Sequence, residues 1–137
     1  MQINPYLVFD GRCEAAFQFY CDIFGGKIDA RFTFRGTPAE SQAPPDWLDK
    51  IMHVTMSVGD WVLMGADAPP DHYEGAPRSF SVHLGLSDPQ EAERIFTRLS
   101  ENATIRMPMQ QTFWAARFGM LVDQFNIPWI INCEEKK

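Results

Sequence analysis

An order of elements that occurs twice is the strongest constraint in this 137-residue chain. An offset of 77 residues carries Leu7 to Leu84, Phe9 to Leu86, Glu14 to Glu91, Ala15 to Ala92 and Phe19 to Phe96. Residue identity across that offset is weak, so the repeat rests on element order rather than on matched side chains. In the first half, Ile3 to Phe9 is an apolar run that reads as a strand. Asp10 follows as an N-cap candidate, and Ala16, Phe17, Tyr20, Ile23 and Phe24 recur at helical spacing over 12–24 until Gly25-Gly26 stops the helix. Arg31 to Arg35 alternates with period two, and His53 to Val58 and Trp61 to Met64 flank the hairpin pair Gly59-Asp60.

In the second half, Ser79 to Leu86 reads as a strand, and Asp88-Pro89 with Glu91 opens a helix over 89–100 with Ala92, Ile95, Phe96 and Leu99 on its buried stripe. Strands at 105–109, 116–122 and 127–133 complete the pattern. The expectation is an α+β fold of two βαβββ modules, 1–67 and 78–137. The proline- and glycine-bearing stretch 68–77 links them within a single domain spanning 1–137.

Composition narrows the function classes. Twelve basic against 18 acidic residues leave a net charge of -6, which repels phosphate backbones and anionic lipid, so neither nucleic acid nor membrane is an expected partner. No apolar run approaches the ~20 residues of a membrane span. Met1-Gln2-Ile3-Asn4-Pro5 lacks the basic start of a secretory leader. Cys13, Cys21 and Cys133 are too few and too scattered for a disulfide framework or a metal pair, and suit the cytoplasm. No P-loop, Ser-His-Asp order or zinc spacing occurs.

Pro5-Tyr6-Leu7-Val8-Phe9-Asp10-Gly11 with Glu14-Ala15-Ala16 and Phe19-Tyr20 opens the first module. Thr112-Phe113-Trp114-Ala115-Ala116-Arg117-Phe118-Gly119 and Asp123-Gln124-Phe125-Asn126-Ile127-Pro128-Trp129 stand in the second. With these strings the chain resembles the PhnB-like group of the vicinal oxygen chelate superfamily, which includes glyoxalase I, bleomycin-resistance proteins and extradiol dioxygenases. Asn126 stands where the group usually has glycine, and asparagine tolerates the left-handed turn conformation. The resemblance implies a curved mixed sheet around a cleft, with a divalent metal held by the first and last strand of each module. Counting onto this chain gives Asn4, Met64, Ser81 and Ile130, a poor donor set, so no metal and no cofactor are expected. Some PhnB-like proteins carry a methyltransferase label, but no glycine-rich strand-to-helix turn for a nucleotide cofactor is present here.

The cleft can still bind. Alternation from Asn4 and Ser81 brings Tyr6 and His83 to the same face, and the offset makes them partners across the cleft. His83 suits a general base and Tyr6 a proton donor; the alternative for His83 is a half-buried packing histidine. His53 reaches the same cleft or sits at a strand edge. Phe113 and Trp114 offer an aromatic wall at the cleft mouth, and Arg117 a clamp for a carboxylate or phosphonate, unless these residues simply pack. Asp67, Asp71, His72 and Glu74 have metal-donor chemistry but read as a solvated acidic linker. Arg31 and Arg35 read as a solvated strand edge, and Cys13 near a helix start gains some thiolate stabilisation.

Two functions remain open. One is a metal-free binder of a small organic molecule, in which Tyr6, His53, Met64, Ser81, His83, Phe113, Trp114 and Arg117 contact the ligand. The other is a lyase, isomerase or thiol transferase using His83 and Tyr6, or an atypical metal site through His53. A homodimer is expected from the 13% aromatic content. The loop at 36–50 is expected to be a mobile lid, with Trp47 anchoring a partner or the closed lid.

Overall fold

The computed structural model describes residues 1–134. The chain divides into two compact units, Met1–Gly75 and Ala76–Lys137. The first contains β1 (Tyr6–Phe9), α1 (Cys13–Phe24), β2 (Lys27–Thr33), β3 (Ile51–Val58) and β4 (Trp61–Asp67). Its sheet runs β1-β4-β3-β2, with β1 parallel to β4 and the other pairs antiparallel. The second contains β5 (Val82–Leu86), α2 (Pro89–Leu99), β6 (Thr104–Gln110), β7 (Ala115–Val122) and β8 (Pro128–Glu134), in the same order β5-β8-β7-β6 with β5 parallel to β8. Each unit is therefore βαβββ, and the fold class is α+β.

Each sheet has one face under its helix and one face without a helix. In the first unit Leu7, Phe9, Val54 and Met56 are buried beneath Ala16, Phe17, Tyr20 and Ile23 of α1. In the second, Ile131, Trp129, Cys133 and Leu121 are buried on the side of Ala92, Ile95, Phe96 and Leu99 of α2. Because strand side chains alternate, the residues between these buried ones line the open faces.

The helix ends follow local chemistry, with one correction. Gly25 at φ 68 closes α1 in the left-handed conformation, as Gly25-Gly26 predicts. Asp88 caps α2 through its side chain, which accepts from Gln90 N at 3.0 Å. Asp10 does not cap α1; Arg12 holds that position and makes no side-chain cap. The carboxylate comes instead from the end of β4, where Asp67 Oδ1 accepts from Gly11 N and Cys13 N, each at 3.0 Å, and Oδ2 accepts from Ile51 N at 3.0 Å. Asp67 is thus no linker residue: β4 runs on past Met64, and its last carboxylate is buried beneath the β1–α1 turn. Burial pushes its pKa up against the lowering effect of those three N–H groups and of Lys50.

The segment before β3 also differs from the lid expectation. It forms two short 3₁₀ turns, Glu40–Gln42 and Pro45–Trp47, and Trp47 is buried. The Trp47 ring packs on Gly11, where a Cβ would lie 3.3 Å from the indole. Lys50 Nζ donates to Gly11 O at 3.0 Å, and Arg35 pairs with Asp49 at 2.8 Å. Trp47 is a core residue fastening this segment to the β1–α1 turn, not an exposed anchor.

The string Asp123 to Trp129 builds the turn into β8. Asp123 Oδ1 accepts from Phe125 N at 2.8 Å and Ile127 N at 3.0 Å, Oδ2 accepts from Trp129 Nε1 at 2.8 Å, and Asn126 takes φ 72. That motif is structural: a buried carboxylate satisfies two backbone donors and an indole.

Candidate functional site

On the open face of the first sheet, register sets a row of three residues. Tyr6 lies opposite Met64 across the parallel pair, and Met64 lies opposite Thr55 across the antiparallel one. His53, two residues before Thr55, shares its face and lies opposite Phe32. Tyr6 Oη is 3.1 Å from His53 Nδ1, and His53 Nε2 is 2.9 Å from Thr55 Oγ1. The rings of Tyr6 and His53 are tilted at 31° with centroids 5.7 Å apart. Both imidazole nitrogens are therefore engaged, and the ring is held in one orientation. Tyr6 itself remains 48% exposed. Its pKa is raised, chiefly by partial burial and then by Cys13, so the phenol keeps its proton at neutral pH. Val8, Ala30, Phe32 and Met64, which lie beside this hydrogen-bonded chain in the register, carry no charge.

The second sheet repeats the row with other side chains. His83 lies opposite Ile130 and Ile130 opposite Met120, so His83 occupies the place that Tyr6 holds in the first unit. His83 is exposed on the open face, and Ser81 is half-buried just ahead of β5. One register step along, Asn132 lies opposite Gly85 and Phe118. Asn132 Oδ1 is buried without a hydrogen-bond partner. Phe113 and Trp114 form the tip between β6 and β7, tied by Ala115 N donating to Thr112 Oγ1 at 3.0 Å. Phe113 is 91% exposed and meets Trp114 edge-on at 4.7 Å, and Trp114 meets Phe118 at 5.3 Å. An aromatic run thus leads from the hairpin tip to the open face.

Two sequence expectations change, those for Arg117 and Cys13. Arg117 lies opposite Cys133, on the helix side of the sheet, and its Nε pairs with Glu93 of α2 at 2.9 Å, so it shares no face with His83. The hydrogen-bonding partner of Tyr6 is His53, in its own unit. The Cys13 thiol has its pKa pushed far up by burial and by Asp67 and Glu14, so the helix start does not make it a thiolate. Arg31 pairs with Glu14 of α1. Thr55 and Asn132 were missed; a period of two counted from His53 finds Thr55, whereas nothing local singles out Asn132.

The metal implied by the resemblance does not fit these rows. Their side chains are phenol, thioether and hydroxyl in the first unit, with the His53 imidazole beside them already paired at both nitrogens, and imidazole, alkyl and thioether in the second. A hard divalent cation needs several carboxylate, imidazole or water ligands together. Among the described residues no group of three or more His, Cys, Asp or Glu is placed to hold a metal ion.

The sequence profile of the Glyoxalase/Bleomycin resistance protein/Dioxygenase superfamily matches residues 2–131. The chain is 30% identical to protein YjdN of Escherichia coli (strain K12) over 142 aligned positions, covering 96% of this chain and 95% of that one. It is 40% identical to protein PA1353 of Pseudomonas aeruginosa, with a TM-score of 0.90 and 99% of each chain covered. The PhnB protein of Bacillus cereus shares the fold, with a TM-score of 0.80 at 20% identity over 97% of this chain and 99% of that one. A profile match over nearly the whole chain, with two βαβββ units beneath it, places this protein in the Glyoxalase/Bleomycin resistance protein/Dioxygenase superfamily.

Proposed function

We propose that this protein binds a small organic molecule on the open faces of its sheets, without the metal its superfamily implies. The observation that carries this reading is the hydrogen-bonded chain Tyr6–His53–Thr55: fixed polar groups on an exposed face, set among apolar side chains. Binding surfaces for small organic ligands combine mostly apolar lining with a few oriented polar groups. Met64 contributes an adaptable thioether beside the row. His83, Ser81, Phe113 and Trp114 supply the corresponding surface in the second unit; Arg117, engaged with Glu93, is left out. The protein acts as a homodimer in the cytoplasm. The exposed indole of Trp61 and ring of Phe113 support the first statement, and three free cysteines support the second. Light scattering should then give twice 15.7 kDa.

A catalytic reading keeps one specific support. Tyr6 and His53 are within hydrogen-bonding reach, the geometry of an acid–base pair, so an isomerase or lyase would use His53 with Tyr6 rather than His83. Protein-observed NMR with a mixed fragment set separates binding from its absence. The expected result is shift changes at Tyr6, His53 and Met64; changes confined to the helix sides of the sheets would contradict the reading.

A further inference from the structure

We propose that Thr55, His53 and Tyr6 form a directed donor chain whose outer hydroxyl, on Tyr6, holds a carbonyl-type oxygen of an otherwise apolar ligand. This deepens the binding reading above and rests on it, adding the ligand's chemical class and the atom that recognises it.

Three observations lead there. Both nitrogens of His53 are already paired within the protein, to Tyr6 Oη at 3.1 Å and Thr55 Oγ1 at 2.9 Å, so the imidazole is not the group that meets a ligand. Tyr6 is the half-exposed end of the chain. The side chains beside Tyr6 and His53 in the register, Val8, Phe32 and Met64, carry no charge, so the immediate surroundings of the chain favour an uncharged ligand group.

Direction follows from donor counting. A hydroxyl donates once and accepts twice, and neutral imidazole has one donor and one acceptor nitrogen. With the proton on Nδ1, Thr55 O–H donates to Nε2, Nδ1–H donates to Tyr6 Oη, and Tyr6 O–H is free to point outward. With the proton on Nε2, Nε2–H donates to Thr55 Oγ1, the Tyr6 proton turns inward to Nδ1, and Tyr6 offers no outward donor; the free O–H is then that of half-buried Thr55. A ligand oxygen selects the first arrangement, and each bond in such a chain polarises the next. The phenol keeps its proton, so it acts as donor rather than phenolate. Thr55 touches no ligand in this scheme; it is a positioning residue that fixes the ring.

The test pairs acetophenone with α-methylstyrene, which replaces the carbonyl oxygen by a methylene of similar shape. Dissociation constants come from protein-observed NMR titrations on wild type, Tyr6→Phe and Thr55→Val, all at one pH. Tyr6→Phe should weaken acetophenone about fivefold, the range of one net hydrogen bond, and leave α-methylstyrene unchanged. Thr55→Val should weaken acetophenone by a smaller factor and move the His53 ¹⁵N signals away from the Nδ1-protonated form that acetophenone induces in wild type. If both probes bind the face and Tyr6→Phe affects them equally, the donor chain is overturned and binding stands. If neither probe perturbs the face at millimolar concentration, the binding reading falls with it.

Discussion

Asp67 and Asn132 each hold polar atoms out of reach of solvent, in opposite circumstances, and each makes a prediction. Asp67 accepts three backbone N–H groups at the β1–α1 turn and the start of β3. Asp67→Ala leaves those donors buried and should cost about 3 kcal/mol in urea unfolding; Asp67→Asn, which keeps one acceptor oxygen, should cost less. The pH dependence has a definite sign. Desolvation raises the folded pKa of Asp67 above the ordinary 3.8, so the folded state binds its proton more tightly than the unfolded chain does. The associated stability is complete below pH 3.8 and is lost as pH rises through the raised folded value. The advantage of wild type over Asp67→Asn should therefore shrink across that window, and growth would contradict the assignment. Asn132 presents the converse case, a buried acceptor with no donor. Replacing it by the similarly shaped Leu should raise stability by about 1 kcal/mol, read as a higher thermal midpoint. Neither residue was legible from sequence. Asp67 precedes Ala68-Pro69-Pro70 and so looks like the start of a linker, because what buries it is a turn more than fifty residues earlier. Asn132 looks like an ordinary strand polar residue until its register with Gly85 and Phe118 is known.

The elements themselves were largely written in the local pattern. Helical spacing located α1 and α2 because each buries one stripe against one sheet, and Gly25 and Asp88 mark ends whose chemistry is local. Strand starts were less legible: β2 begins at Lys27 rather than Arg31, and β5 at Val82 rather than Ser79. Ladder bonds to a distant partner, not composition, decide those boundaries. Facing failed for the same reason at Arg117, since a one-residue change in register moves a side chain to the opposite face. The pairing of Tyr6 with His53 likewise depends on β1 adding to β4 in parallel, which no local signal announces. Helix-to-sheet packing carries a prediction of its own. A Cβ at Gly65 of β4 would lie 2.6 Å from the Phe17 ring and 2.9 Å from Leu7 O. Gly65→Ala should therefore cost about 1–3 kcal/mol by displacing α1 from the sheet. An unchanged denaturation midpoint would show that Phe17 does not seat there.

The protein as a whole carries its superfamily's architecture as two βαβββ units in succession. Two units repeat one strand order, and the same register row in each bears Tyr6, Met64 and Thr55 or His83, Ile130 and Met120. An architecture of this kind accepts different chemistry because the ladder, not the side chains on its open face, holds the sheet together. In the first unit a hydrogen-bonded chain of phenol, imidazole and hydroxyl occupies that face, and its neighbours are apolar. On the reading proposed above, this surface recognises an organic molecule with no metal ion. Elemental analysis by plasma mass spectrometry, on protein purified without chelator and dialysed against metal-free buffer, tests it most directly. The expected content is far below one divalent transition metal per chain; a reproducible content of about one per chain would overturn metal-free recognition.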